Sequence, residues 1–265
     1  MKNIIYPLFF LVALASCEKE LDFQYHNVEP QLVIEGTTTD DGTRVSVTYT
    51  TPMDMPMNDT RITDATVTLT DLTNGISTKL SPDSKGYFTD NTPGVDGHEY
   101  RLDVSRDGKD YRSESLMRHK VDILGLEFQW IKMPYDYVAV LQITFTDSDT
   151  TGDNYWVRLY RNGEPYKWSL VTDNLADNGI INEVIMTSRK DIEAEDEKDV
   201  LLDGDEIRVE VIPVSLEMLD YLQAIQSDSN GPRMFAGDYC LGYYLAAEVS
   251  QSTIIFRPDE MTEFK

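Results

Sequence analysis

The stretch TDATVTLTD, residues 63–71, predicts the fold of this chain more clearly than any other. Ala65, Val67 and Leu69 alternate with threonines, and alternation with a period of two is typical of a half-buried β-strand. Asn74-Gly75 follows a few residues later, and this pair favours the tight turn of a β-hairpin. The stretch therefore predicts a strand over residues 65–71 that turns back on itself.

Further short strands are predicted on both sides of this hairpin, separated by Gly, Pro, Asn and Asp. In the first half of the chain they cover residues 31–35, 43–50, 86–88, 98–105 and 109–115. Many short strands between turn residues are typical of a β-sandwich, which we place at residues 30–117.

A second β-rich domain is predicted over residues 118–265. Its strands are predicted at 121–130, 137–146, 154–160, 163–171, 205–212, 239–250 and 253–257, whereas residues 170–202 are interpreted as less regular. One helix is predicted near 215–227, with Ser215 as its N-cap and Met218 and Leu222 on one face. The predicted fold is mainly β: an N-terminal immunoglobulin- or transthyretin-like β-sandwich, then a second antiparallel β domain that carries one short helix.

The N-terminus has the pattern of a bacterial lipoprotein signal. Lys2 precedes an apolar run over residues 4–13, and Leu14-Ala15-Ser16-Cys17 then matches a lipobox. We predict a signal peptide over residues 1–16, acylation of Cys17, and anchoring in a lipid bilayer. The apolar run is shorter than the roughly 20 residues of a membrane-spanning helix. Residues 17–29 are interpreted as an acidic tether, and the alternative is an ordinary secretory signal with a chance cysteine.

Composition excludes some partners. The chain has 23 Lys plus Arg against 47 Asp plus Glu, a net charge of −24, which argues against binding to nucleic acid. The two cysteines are Cys17 and Cys240, so acylation of the first leaves no disulfide. Cys240 lies in an apolar stretch and is predicted to be a buried, inert thiol.

Catalytic, cofactor and metal motifs are weak. His26, His98 and His119 match no catalytic or zinc spacing, so we predict neither an enzyme nor a cofactor. A loose calcium-loop pattern runs over residues 147–153, but its closing Glu is replaced by Arg158. A turn without metal is the preferred interpretation of this pattern. Its candidate ligands are Asp147, Asp149, Thr151 and Asp153, with Gly152 at the turn position.

Aromatic residues are frequent in the predicted second domain. They are Trp130, Trp156, Trp168, Tyr135, Tyr137, Tyr155, Tyr160 and Tyr166. Aromatic side chains fill β cores, but exposed ones also bind sugars and partner proteins. Tyr135 and Tyr137 flank a predicted turn, so we predict that they are exposed and belong to a ligand-binding surface.

Several segments together resemble a known family. Residues 63–115 resemble the small β-sandwich of the transthyretin or carboxypeptidase-regulatory type. The lipobox, LVIEG at 32–36, TFTDSDTTGDNYWVRLY at 144–160, DGDEIRVEVIPVSLEMLDYL at 203–222 and LGYYLAAEVS at 241–250 resemble the Bacteroidetes lipoprotein family called domain of unknown function 4249.

The resemblance implies an outer-membrane lipoprotein that accompanies a SusC-type TonB-dependent transporter. It also implies that residues 18–22 act as a signal for export to the cell surface, although Lys19 interrupts their acidic character. It carries over no catalytic residues. We therefore expect a non-catalytic surface protein that assists ligand capture or uptake. The alternatives are an adhesin or assembly module that recruits partners through sheet edges, and an envelope hydrolase.

Overall fold

The chain is built mainly of β-strands, as a computed structural model shows for residues 29–51, 60–134, 136–148, 154–172, 179–189, 200–229 and 231–263. Two units are distinguished: Gln31–Thr50 with Asp59–Lys265, and Met1–Pro30 with Thr51–Asn58. All the strands and helices named below lie in the first unit. In that part of the chain, no helix is long and apolar enough to span a membrane.

The strands follow one another along the chain with a single α-helix, α1 (Leu216–Gln226), and a 3₁₀ turn at Pro258–Glu260 in the described residues. In chain order the strands are β1 (Leu32–Thr39), β2 (Gly42–Tyr49), β3 (Thr66–Asp71), β4 (Ile76–Pro82), β5 (Phe88–Asp90), β6 (Glu99–Arg106), β7 (Lys109–Leu116), β8 (Ile123–Lys132), β9 (Tyr137–Thr146), β10 (Asn154–Arg161), β11 (Glu164–Thr172), β12 (Ile180–Arg189), β13 (Glu206–Val214), β14 (Ala236–Gly237), β15 (Leu241–Ala246), β16 (Ser250–Ile255) and β17 (Thr262–Glu263).

The first sheet contains the hairpin that the opening stretch predicts. Its strand order is β14-β7-β6-β3-β4-β5-β2-β1-β15. β4 pairs with β3 through its first residues and with β5 through Ser81 and Pro82, so it connects the two halves of the sheet. Inward residues of both halves, such as Val45, Val67 and Leu102, share one core and are fully buried. The predicted N-terminal β-sandwich is thus present.

Two four-stranded sheets form a second sandwich. Their strand orders are β11-β10-β13-β16 (sheet 2) and β12-β9-β8-β17 (sheet 3). Phe145, Tyr155 and Val209 lie in the core between them. The predicted mainly β fold with one short helix is confirmed.

Helix α1 begins where the sequence predicts it. Ser215 has extended backbone angles and accepts a hydrogen bond from the N–H of Met218, so it satisfies one of the free donors of the first turn. Met218 and Leu222 are buried against Trp156 on the outer face of sheet 2. Trp168 and Leu170 of β11 pack against this third core.

The predicted boundary of the second domain is wrong in one respect. β14 and β15 lie within residues 118–265, yet β14 pairs with β7 and β15 pairs in parallel with β1. Phe235, Cys240 and Tyr244 are buried in the first core. β15 pairs with a strand that lies about two hundred residues earlier in the chain. A local sequence pattern cannot reveal a parallel pairing of such distant strands. The stretch interpreted as less regular also contains a ten-residue strand, β12.

Asp205, which directly precedes β13, binds residues of the hairpin between β10 and β11. Its carboxylate accepts hydrogen bonds from the Leu202 N–H at 2.7 Å and Asn162 Nδ2 at 2.7 Å, and it pairs with Arg161 Nη2 at 2.7 Å. Burial alone would raise the pKa of Asp205, but these three donors outweigh it and hold the pKa below its ordinary value.

We therefore expect Asp205→Asn to reduce stability in a pH-dependent way. A carboxyl whose pKa is lowered by folding stabilises the protein above its unfolded-state pKa, and this contribution is lost as the pH falls through the folded-state pKa. The variant should lose about 1.5–3 kcal/mol at neutral pH, the usual range for hydrogen bonds to a charged group. Urea denaturation at neutral and acidic pH measures this. A difference from wild type that does not shrink in acid would contradict the assigned role.

Candidate functional site

A polar cleft lies where the first sandwich meets the outer face of sheet 2. We call it the junction cleft; its volume is about 540 Å³. The turn between β1 and β2, the segment before β8, and the stretch that leads into β16 supply its walls. The lining residues are Thr39, Asp40, Asp41, Lys120, Val121, Asp122, Ile123, Arg158, Glu210, Val249, Ser250, Gln251 and Ser252.

The register of sheet 2 determines the floor of the cleft. Gln251 of β16 lies opposite Glu210 of β13, which lies opposite Arg158 of β10, which lies opposite Trp168 of β11. Side chains of directly paired residues point to the same face of a sheet. The four residues therefore form one row across the outer face, and the first three line the cleft.

Both cations of the cleft are held by carboxylates. Arg158 donates to Glu210 Oε2 through Nη2 at 2.6 Å and through Nε at 3.1 Å. Arg208 contacts the other oxygen of Glu210. Lys120 Nζ lies 3.4 Å from Asp40 Oδ2, and the Val249 N–H donates to Asp40 Oδ1 at 3.1 Å. The glutamate is almost fully buried, and a buried carboxylate needs such donors to stay charged.

Two further carboxylates line the cleft without such partners. Asp41 and Asp122 are exposed, and among the residues that the structure describes neither side chain forms an ion pair. With Asp40 and Glu210 balanced by Lys120 and Arg158, these two carboxylates give the cleft an excess of negative charge.

Aromatic rings surround Arg158. Its guanidinium lies 4.7 Å from the Trp156 ring centroid and 5.8 Å from that of Tyr160, and Arg208 lies 4.0 Å from the Tyr160 ring. Trp156 and Trp168 meet edge to face at 6.2 Å. Cation–π contacts of this kind hold a guanidinium in one orientation. The part of the outer face of sheet 2 around Arg158 is therefore a platform of aromatic and planar polar groups.

The residues that the sequence predicts for sites lie elsewhere. Cys17, Tyr135, Asp149, Thr151, Gly152 and Asp153 lie outside the described residues. Tyr137 is only partly exposed, because its ring packs against the core of the second sandwich. Tyr137 lies on the core face of β9, so its exposure is only partial, and the ligand-binding role predicted for it stays a prediction.

Asp147 acts within the second sandwich. Its Oδ1 accepts hydrogen bonds from the buried Tyr155 hydroxyl at 2.6 Å and from the Ser148 N–H at 3.0 Å. Burial, and then the Asp147 carboxylate, raise the pKa of Tyr155, so the phenol remains a donor. Among the described residues, no group of three His, Cys, Asp or Glu side chains could hold a metal ion.

Cys240 is buried, and the two described histidines, His98 and His119, each lie close to carboxylates. Cys240 is buried as predicted, and burial raises the pKa of its thiol to about 12, which keeps it protonated. His98 Nδ1 lies 2.9 Å from the Oδ2 atom of Asp71, the last residue of β3. His119 is exposed and lies 3.1 Å from Glu248 Oε2 and 3.3 Å from Asp96 Oδ2.

Comparison with known proteins gives the family. The model of a family described as a domain of unknown function, DUF4249, matches residues 18–251. The chain belongs to the DUF4249 family. No curated protein matches this DUF4249 chain significantly.

Solved structures similar to the DUF4249 chain include two with low sequence identity. One is a two fibronectin type-III domain segment from chicken tenascin, with 12% identity, 86% of this chain and 99% of that chain covered, and a TM-score of 0.25. Another is a cytokine receptor complex, with 9% identity, 84% of this chain and 95% of that chain covered, and a TM-score of 0.27.

Proposed function

We propose that this DUF4249 chain is a non-catalytic, lipid-anchored recognition protein of the outer membrane that captures a ligand for a SusC-type TonB-dependent transporter. The observation that carries the proposal is the lipobox Leu14-Ala15-Ser16-Cys17. The family match begins at residue 18, directly after the cysteine that would be acylated. Attachment there places the β-rich body outside the bilayer, held by more than one acyl chain.

The junction cleft supports a role in recognition. Arg158, Glu210 and Lys120 line it with their charges fixed by ion pairs, so they do not need to reorganise when a ligand arrives. A cleft of this size with convergent polar groups is the usual form of a small-ligand site.

The alternative is an adhesin that binds partners through a sheet edge. The contacts of the edge strand β12 in the second sandwich argue against it. Tyr166 and Lys167 of β11 donate to the Thr187 carbonyl of the edge strand β12 at 2.8 and 3.2 Å, and Lys167 also reaches the Met186 carbonyl. A lysine on an edge is one of the ways in which proteins block the pairing of a further strand.

The anchor is tested by metabolic labelling with a clickable fatty acid. Wild-type protein should take up the label and sediment with membranes, whereas Cys17→Ser should lose both the label and membrane attachment. Cys240→Ser is the matched control, because its thiol is buried, and it should label like wild type. Label that persists in Cys17→Ser would refute anchoring at this residue.

The transporter partnership needs a separate experiment. Tagged wild-type protein, solubilised from outer membranes in mild detergent, should co-purify with a protein of the size of a TonB-dependent transporter that mass spectrometry identifies as one. Protein that is acylated and yet always purifies alone would refute the partnership and leave the anchor intact.

A further inference from the structure

We propose that the junction cleft binds a neutral, hydroxyl-rich ligand, namely an oligosaccharide chain. The inference rests on the proposed function of ligand capture and specifies the chemistry of the ligand. It depends on three properties of the site: its hydrogen-bonding groups, its charge balance, and the aromatic rings beside it.

The floor presents donors and acceptors in close alternation. Arg158 uses Nε and Nη2 for Glu210, and within the described part of the chain its Nη1 makes no hydrogen bond. Gln251 adds a side-chain amide on β16, the strand beside β13. A sugar hydroxyl both donates and accepts, so it suits a surface on which the two kinds of group lie side by side.

The charge balance argues against an anionic ligand. Lys120 and Arg158 are already paired, and Arg208 shares Glu210 with Arg158. The four carboxylates that line the cleft outnumber these three cations, and among the described residues Asp41 and Asp122 form no ion pair. An anion entering the cleft would meet this negative excess and the field of a chain whose net charge is −24.

Apolar and cationic ligands are also less suited. The apolar residues of the lining are Val121, Ile123 and Val249. Three apolar side chains are too few to bury an apolar ligand. Asp41 and Asp122 would attract a cation, but both are exposed, and ion pairs in water contribute only about 0–1 kcal/mol each. A neutral polar ligand uses the floor and is not repelled by the rim.

The aromatic residues extend the site along sheet 2. Trp168 lies directly opposite Arg158 on β11, and Tyr160 is the next residue on the same face of β10. Both side chains are partly exposed. The C–H face of a pyranose ring packs well on an aromatic ring, so a sugar chain could lie with one unit in the cleft and the next beside Trp168.

The inference is tested with detergent-solubilised full-length protein in native gels that contain a neutral polysaccharide: dextran, mannan or xyloglucan. At least one of them should retard wild-type protein, and added NaCl should leave the retardation unchanged, since no ion pair forms with the ligand. Trp168→Ala should weaken binding about tenfold or more, as the loss of one good stacking contact does. Tyr239→Ala, which removes a 57% exposed ring outside the cleft, is the control and should bind like wild type.

A second variant covers the case in which Trp168→Ala fails to fold. Arg158→Lys keeps the charge but loses the planar fork, and it should also bind more weakly. Melting curves of each variant separate folding from binding. The inference is overturned if no neutral polysaccharide retards the protein, if only poly-lysine or polygalacturonate does, or if both Trp168→Ala and Arg158→Lys bind normally. Any of these outcomes is independent of acylation at Cys17, so the proposed anchor would stand.

Discussion

Residues 30–117 expressed alone are expected to remain largely unfolded, although the sequence delimits them as a β-sandwich domain. Phe235 and Tyr244, both at most 2% exposed, come from the far end of the chain and fill the core of that sandwich. Removing a buried aromatic side chain costs about 3–5 kcal/mol, so the loss of two approaches the 5–15 kcal/mol that stabilises a whole domain. The fragment also loses β15, which leaves β1 as a bare edge.

The matched control restores the missing strands. Residues 30–117 joined through a Gly/Ser linker to residues 231–249 regain β14 and β15 and should fold. Far-UV circular dichroism and urea unfolding compare the two polypeptides. A cooperative transition in the short fragment, with the midpoint of the linked one, would contradict the idea that the first core needs the C-terminal segment.

Local patterns predicted the elements that bury one face against a core. Val67 and Leu69 are buried while Thr66 is exposed and Thr68 is partly exposed, so the alternation that identifies β3 is also its burial pattern up to Leu69. Thr70, the next residue, is buried as well. Helix α1 is similar, because Ser215 caps its first turn and its own residues Met218 and Leu222 are buried. In such elements the residues that stabilise the strand or helix lie within the segment itself, so the local sequence pattern predicts it.

β12 is the longest of the described strands for which the sequence pattern predicts no range. Ile181 and Ile185 point to the core of the second sandwich, but Val184 and Met186 on the other face are apolar too and lie exposed. With apolar residues on both faces, the period of two disappears. The composition of the stretch then gives no reason to prefer a strand.

The site could not be predicted because pairing brings it together. Asp40, Lys120, Arg158 and Gln251 come from four distant stretches, and each is an ordinary polar residue in its own segment. The sequence did contain a partial signal. Trp156, Arg158 and Tyr160 lie two residues apart on one face of β10, and aromatic residues at this spacing indicate a face that makes contacts other than with water. Their partners on β13 and β16 follow from register, which the sequence leaves open.

Gly242→Ala is expected to be among the most destabilising substitutions in this protein. Gly242 has φ +103°, and a Cβ built there would lie 1.9 Å from the carbonyl oxygen and 2.6 Å from the carbonyl carbon of Ile34. These atoms are backbone in the middle of β1, so no side-chain rotation relieves the overlap. We expect a loss of about 4 kcal/mol or more, the range of exceptional single substitutions. Urea denaturation of the full-length variant measures it.

Gly75→Ala separates the overlap from the cost of the backbone conformation. Gly75 also has a positive φ, +71°, but nothing lies within 4 Å of a Cβ built there. Its substitution should therefore cost only the penalty of about 1–2 kcal/mol for a left-handed L-residue. If Gly242→Ala costs no more than this control, β15 does not lie against β1 in the register that places Gly242 beside Ile34.

The consequence of Gly242→Ala extends beyond one contact. The alanine forces β15 away from β1, and the parallel ladder from Val33 to Thr38 is lost with it. The hydrogen bond of 2.8 Å between Thr38 Oγ1 and the buried Tyr244 hydroxyl then breaks as well. Because Tyr244 belongs to the first core and Tyr243, the residue before it, packs against Trp156 at 6.0 Å, the displacement should loosen the outer face of sheet 2 beside the cleft. The variant should therefore lose stability and, at temperatures where it still folds, bind any cleft ligand more weakly, whereas Gly75→Ala should leave binding unchanged.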